Sequence, residues 1–366
     1  MPHDLSHSPT LAERLLGRAL ALHAERRAAE ALPLFEAALA CGLDPERGAG
    51  ERWHCAMLAG RFEDAWKESD RVLARRRRDG ERCADRPLHL RWVWDGTSPA
   101  GRDVLLRCYH GLGDSIQFLR YAPLLRRMAR SVTVEAPAAL LTLLGSLEGI
   151  DRLLPLKDGP APAGGAVAIE STELPHAFRT TLGTIPAEIP YLRADPGRAE
   201  ARRRAMDRDM LNVGLVWASG LWRPERNIPL ALLAGLGRIP GVALHCLQRG
   251  PCREELRTGG PAFRNPEEDS TDIAETAALI AALDLVISTD TMVAHLAGAL
   301  GRPVWTLLHF DADWRWLATG DRSPWYPTMR LFRQPRPGDW DAVAALLTAA
   351  LAAHAAGRIP APVRRR

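Results

Sequence analysis

The stretch DLVISTDTMVAHLAGALGRPVWTLL, Asp284–Leu308, decides the fold. DLVIS and PVWTLL are short, apolar and β-branched enough to be buried strands, and MVAHLAGAL between them repeats apolar residues at helical spacing. Strand, helix and strand in so short a span read as a parallel β-α-β unit. Thr289, Asp290 and Thr291 stand where the first strand turns into the helix. One of them suffices as a cap. All three, with His295 on the same helical face one turn beyond Thr291, point to a ligand. A helix N-terminus attracts a diphosphate, hydroxyls hold it, and a carboxylate accepts hydrogen bonds from sugar hydroxyls. A core histidine is the competing reading of His295.

Working outward, the same alternation recurs on both sides. NVGLVWA and VALHCLQ are further strands of this half. VLLRC, VTVEA, LLPL and AVAIE are strands of an earlier one, with helices expected in DSIQFLRYAPLLRRMA and PAALLTLLGSL. The Pro-punctuated stretch from Pro186 to Met210 separates the halves. Two α/β halves imply a cleft, with functional residues immediately after the strands, where such sheets bind ligands.

Before them, residues from about Leu11 to Leu73 are helical throughout, and they repeat. Laying the segment from Ala19 over that from Trp53 matches Ala31 with Ala65 and Leu39 with Leu73 at an offset of 34 residues. That is the tetratricopeptide period; a plain helical bundle is the alternative. The division expected is a tetratricopeptide-like region over 1–78, a linker over 79–103, and α/β domains over 104–195 and 196–366.

Composition narrows the classes. The chain has 366 residues, 46% hydrophobic and 25% charged, enough for two or three cored domains. No apolar run approaches a membrane span, and the N-terminus lacks the layout of a signal peptide, so a cytoplasmic location is expected. Cys41, Cys55, Cys83, Cys108, Cys246 and Cys252 are scattered without a CxxC pair and read as buried free thiols. The net charge of +4 is concentrated in Arg75–Arg78 and Arg364–Arg366, with no basic stripe for a nucleic acid. Lys67 and Lys157 are the only lysines, which leaves Schiff-base chemistry almost without a candidate.

A second glycine-bearing turn follows the strand ending at Cys108: Tyr109-His110-Gly111-Leu112-Gly113-Asp114, with a helix expected from Asp114 or Ser115. Gly111 and Gly113 permit close backbone approach by a ligand. It lacks the third glycine and the acidic partner of a dinucleotide fingerprint. Asp114 reads either as an N-cap or as a functional carboxylate. The pair Asp311 and Asp313 has the spacing of a metal-holding DxD, but two carboxylates alone make a poor magnesium site. Trp314, Trp316, Trp325 and Tyr326 read as packing residues, with stacking on a sugar or base as the alternative.

GLGDSIQFLRYAPLL, STDTMVAHLAGALGRPVWTLL, DWRW and SPWYPTMRLFRQ together resemble the bacterial tetratricopeptide-containing glycosyltransferases, which are similar to lipopolysaccharide heptosyltransferases. The resemblance runs over nearly the whole chain in order. It implies a GT-B fold, two facing Rossmann-like domains behind the helical region, with an acceptor-side N-terminal half and a donor-side C-terminal half. It also implies metal-independent, inverting transfer from a nucleotide-sugar co-substrate, with no cofactor, to a protein or glycan hydroxyl. Asp114 matches the family's general base, and Gly111, Gly113 and Gln117 its acceptor-side loop. Arg226, Asn227, Gln248, Thr289, Asp290, Thr291 and His295 match the donor side, with Gln248 open to reading as a satisfied loop residue. Two departures stand out: the loop ASGLWRPERN is short and carries Trp222, and Tyr109-His110 replaces the usual Glu-Gln, so that His110, with a reference pKa of about 6.5, could share or replace the base role. A catalytically inactive scaffold whose repeats bind a partner is the alternative from another class. A nucleotide-sugar epimerase is a third. The repeats would serve either a protein acceptor or a homo-oligomer.

Overall fold

A computed structural model of the chain describes residues 8–79, 93–157, 165–219, 223–257, 259–264 and 272–357. Most of the expected linker, Cys83, Trp222 and the terminal arginines lie outside the described residues. Contacts divide the chain into two units: Met1–Glu81 with Pro175–Ile185 and Asp311–Gly320, and the remainder.

The first unit is built on helices α1 (Leu11–Ala24), α2 (Ala28–Ala40), α3 (Ala49–Leu58) and α4 (Phe62–Asp79). Thr10 starts α1 with a reciprocal cap, its Oγ1 accepting from Glu13 N while the Glu13 carboxylate accepts from Thr10 N. Small buried residues (Ala19, Ala31, Ala38 and Ala65) let the helices approach closely around Phe35. Trp66 Nε1 donates to Thr180 O at 2.7 Å, and Trp314 packs edge-on against Trp53 and Phe62.

The second unit holds two sheets, both entirely parallel among the described strands. The first comprises β1 (Asp103–Arg107), β2 (Ser131–Ala136), β3 (Arg152–Pro155) and β4 (Val167–Glu170) in the order β3-β2-β1-β4. The second comprises β5 (Leu211–Val216), β6 (Val242–Cys246), β7 (Leu285–Thr289), β8 (Val304–Leu308) and β9 (Met329–Arg333) in the order β6-β5-β7-β8-β9. The expected strands are all present, because each is an apolar run too short and too β-branched for a helix. β9 lay inside a quoted motif without being read as a strand; its arginine ends hide a buried Met329, Leu331 and Phe332.

The helices of this unit are α5 (Leu112–Phe118), α6 (Ala122–Met128), α7 (Leu141–Leu144), α9 (Pro196–Arg204), α10 (Ile273–Ala282), α11 (Met292–Ala299) and α12 (Trp340–Ala356), while α8 (Leu174–Ala177) belongs to the first unit from Pro175 onward. The single helix expected over 114–129 is instead α5, a 3₁₀ turn at Leu119–Tyr121, and α6. Pro123 supplies no N–H for a continuous ladder. One face of the second sheet buries Leu215, Ile287, Leu307 and Phe332 against Leu347 and Leu351 of α12. Three of the five described cysteines are buried as expected (Cys55, Cys108 and Cys246), but Cys41 is exposed and Cys252 half-buried. No helix among the described residues is long and apolar enough to cross a membrane.

Each sheet has a place where strand order reverses direction, and there the loops after neighbouring strands diverge to leave a crevice. In the first sheet it lies between β1 and β4. In the second it lies between β5 and β7.

Candidate functional site

At the second sheet's reversal, the loop after β5 carries Arg226 and the turn after β7 carries Asp290. Thr291 caps α11, its Oγ1 accepting from Val293 N at 3.2 Å and standing 2.9 Å from Ser288 Oγ. Asp290 is buried, with Oδ2 3.8 Å from Arg226 Nη1 and Oδ1 3.8 Å from His295 Nε2. Both distances suit ion pairs and exceed a hydrogen bond. His295 is buried too, its Nδ1 3.0 Å from the Tyr326 hydroxyl. Burial raises the Tyr326 phenol well above its ordinary range, so this partner stays protonated. Gly298 makes room for it: a Cβ there would collide with the Tyr326 ring at Cδ1.

At the first sheet's reversal, β1 runs into Tyr109 and His110 while β4 ends on Glu170. His110 Nδ1 is 3.0 Å from Oε1 of Glu170, whose side chain is 1% exposed. Glu170 caps the 3₁₀ turn that follows, accepting from Ser171 Oγ at 2.7 Å and Thr172 N at 2.6 Å. Glu173 in that turn accepts from the N–H groups of Val93, Trp94 and Glu170, yet burial with the nearby Glu170 charge pushes it up to about 7. Burial and then Glu170 likewise hold the Cys108 thiol far above its usual range, which makes it unreactive.

The two crevices share one neighbourhood, because α5 packs against α11. A Cβ on Gly113 would lie 2.9 Å from His295 Cδ2 and 3.5 Å from Met292 Cα. The glycine loop therefore meets the STDT turn through a position only glycine fits without displacement.

Several expectations are corrected here. Asp114 is not the N-cap: Gly111 is, and Asp114 sits in the first turn of α5 with Oδ2 accepting from Gly111 N at 3.1 Å. Gln117 is not in a loop but inside α5, fully buried, and neither amide atom has a hydrogen-bond partner among the described residues. Gln248 is the satisfied loop residue: Oε1 accepts from Trp217 N and Ala218 N, and Nε2 donates to Ala218 O and Arg249 O. Asn227 Oδ1 accepts from Ser219 N at 2.8 Å and Ser219 Oγ at 3.2 Å, which folds the β5 loop back on itself. Thr289 is fully buried in β7. In the first unit, Asp311 pairs with Arg26 and Asp313 with Arg315, both at 2.8 Å. Among the described residues no three His, Cys, Asp or Glu side chains are grouped to hold a metal.

Two features were missed by sequence reasoning. Glu170 had a signal, an acid closing the apolar strand AVAIE. Arg120 had none. The residue is 3% exposed, and its guanidinium donates to Gln117 O, Pro186 O, Trp325 O and the Tyr191 hydroxyl. It lies 4.4 Å from the Tyr326 ring centre and 4.9 Å from that of Tyr191. Apart from Gln117 these partners are far from Arg120 in sequence, so only folding reveals the cluster.

The turn after β7 also lies within the stretch that a family model matches. Residues 269–322 match the model of glycosyltransferase family 9 (heptosyltransferase). That family 9 stretch contains Thr289, Asp290, Thr291 and His295; His110, Asp114, Glu170 and Arg226 lie outside it. Protein FlbA of Caulobacter vibrioides is 28% identical over 297 residues, 72% of this chain and 48% of that protein. The chain thus spans about half the length of this curated relative. Among solved structures, a family 9 glycosyl transferase from Veillonella parvula is 12% identical with a TM-score of 0.49, covering 73% of this chain and 92% of that one. Escherichia coli ADP-heptose lipopolysaccharide heptosyltransferase II is 14% identical with a TM-score of 0.44, covering 69% and 99%. The iron-containing dodecameric glycosyltransferase TibC of enterotoxigenic E. coli is 13% identical with a TM-score of 0.45, covering 72% and 77%.

Proposed function

We propose that this chain is a glycosyltransferase that moves a sugar from a nucleotide-sugar donor to an acceptor hydroxyl, metal-independently and with inversion, on a GT-B arrangement of its two sheets. The observation that carries the reading is the contact of Gly113 with His295. It brings the loop after β1 against the cluster after β7. The family 9 match over residues 269–322 supports the same reading.

In this mechanism the donor diphosphate lies at the N-terminus of α11, where unpaired N–H groups and the helix dipole favour negative charge. Arg226 stands beside it, and Asp290, Thr291 and His295 hold the sugar and ribose hydroxyls. The acceptor approaches from the Gly111–Asp114 side, and its oxygen attacks the anomeric carbon as the carbon–oxygen bond to the diphosphate breaks. Asp114 and His110 are the two groups placed to take its proton. Arg226 and the helix N–H groups stabilise the charge developing on the leaving diphosphate. Asp311 and Asp313, each spent on an arginine, take no part. The helical N-terminal region is tetratricopeptide-like in this reading and serves a protein acceptor or self-association, in the cytoplasm.

The test is calorimetric titration of the full chain with UDP, GDP, ADP and dTDP in the absence of metal, beside an Asp290→Ala/His295→Ala variant. Selective binding of one nucleotide, lost in the variant, is the expected result. Absence of binding to all four would replace transfer by the inactive scaffold.

A further inference from the structure

We infer that Glu170 is a positioning residue which orients His110, so that His110 Nε2 takes the acceptor proton in the proposed transfer. The inference rests on the glycosyltransferase reading and adds to it the identity of the proton acceptor and the group that sets it up.

The geometry has three parts. His110 and Glu170 leave adjacent parallel strands, β1 and β4, whose register aligns Arg107 with Glu170, so the pair sits in the crevice where strand order reverses. Glu170 is immobilised: Ser171 Oγ donates to Oε1, and Thr172 N and Oγ1 donate to Oε2. His110 lies against it: Nδ1 is buried and 3.0 Å from Oε1, an ion-pair distance with the ring out of line for a hydrogen bond to that oxygen, while the side chain as a whole is 27% exposed, so the accessible part of the ring lies away from Nδ1. Tyr109 stacks on the imidazole with ring centres 5.2 Å apart and restricts its rotation.

The neighbouring charges favour this division of labour. Glu173 and Cys108 adjoin Glu170 and are held toward their neutral forms. Arg107 in the same strand is occupied by Glu135 at 2.9 Å. From α5 the facing acid is Asp114, with one oxygen engaged by Gly111 N. Glu170 stands at ion-pair distance from the imidazole. The negative charge of a carboxylate 3.0 Å from Nδ1 favours a proton on that nitrogen and leaves the Nε2 lone pair for the acceptor. In the step, the acceptor O–H gives its proton to Nε2, its oxygen bonds to the anomeric carbon, and the bond to the diphosphate breaks with the electron pair leaving on phosphate. The imidazolium that results is stabilised by Glu170.

The experiment is long-range proton–nitrogen NMR of the full chain labelled in its histidine rings, between about pH 5 and 9, with His110→Gln identifying the signal. The expected result is an Nδ1-protonated tautomer in the unsubstituted chain. Its titration midpoint should fall by about one pH unit or more in Glu170→Gln and stay in place in Thr172→Val, which loosens the turn without removing the carboxylate. An Nε2-protonated His110, or the same midpoint in Glu170→Gln, would overturn the inference. The tautomer is read without any variant, so a Glu170→Gln chain that fails to fold leaves the test intact. The nucleotide titration is separate: loss of donor binding sinks the transfer reading, whereas the imidazole signal alone decides the role of Glu170.

Discussion

Gly113 and His295 approach so closely that a side chain at position 113 would begin 2.9 Å from the imidazole. His295 cannot simply swing aside, because its Nδ1 is tied to the buried Tyr326 hydroxyl. Gly113→Ala is therefore expected to destabilise the fold by about 1–3 kcal/mol, the range for overpacking a filled site, and to weaken nucleotide binding by displacing α11. Urea unfolding and calorimetry check both. An alanine chain that matches the native one in midpoint and affinity would remove the contact as the link between the two crevices.

Arg226 lies 3.8 Å from Asp290, and its side chain is 22% exposed, so it can reach a ligand phosphate without first breaking a tight hydrogen-bonded pair. Arg226→Ala should weaken nucleoside diphosphate binding about tenfold to a hundredfold, the value of a charge-assisted hydrogen bond. The remaining binding should depend less steeply on salt. Titrations at two ionic strengths decide it; unchanged affinity would place the phosphates elsewhere.

Arg120 satisfies four oxygen acceptors from inside an aromatic cage. Arg120→Met keeps the volume but leaves buried carbonyls without donors. A loss of about 2–4 kcal/mol is expected on that basis. Equal unfolding midpoints for the two chains would show that the guanidinium is dispensable.

Glu173 is pushed up to about 7 by burial and by Glu170. A carboxylate whose folded pKa exceeds its unfolded value of about 4.3 binds more protons when folded. Stability from this group is fully present below about pH 4 and is lost as pH rises toward 7. With allowance for solvent at a partly buried group, the loss is on the order of 1–2 kcal/mol. Urea unfolding at pH 5 and 8 should show it, and Glu173→Gln should reduce the difference. A difference of the same size in the variant would assign the dependence to other groups.

All the strands but β9 were legible in the sequence because each is a short apolar run with turn residues on either side, and local sterics suffice to make it extended. The STDT turn was legible for a related reason: three polar residues and a histidine at helical spacing exceed what a cap needs. Helix breaks were less so. DSIQFLRYAPLLRRMA keeps its apolar period through Pro123, and only the missing N–H interrupts the helix there. Asp114 and Gln117 were misplaced locally, because a helix that starts at Leu112 makes one a first-turn acceptor and the other a buried amide.

What the sequence determined by itself is therefore what near neighbours decide: strand, turn, cap and the alternation of the two α/β halves. The tertiary structure alone decided which residues meet. His110 and Glu170 are brought together by the register of two parallel strands, His295 and Gly113 by the packing of α11 on α5, and Arg120 and Tyr326 by the closure of a core. Periodicity records which side of an element faces inward, but it carries no information about which other element will cover that side.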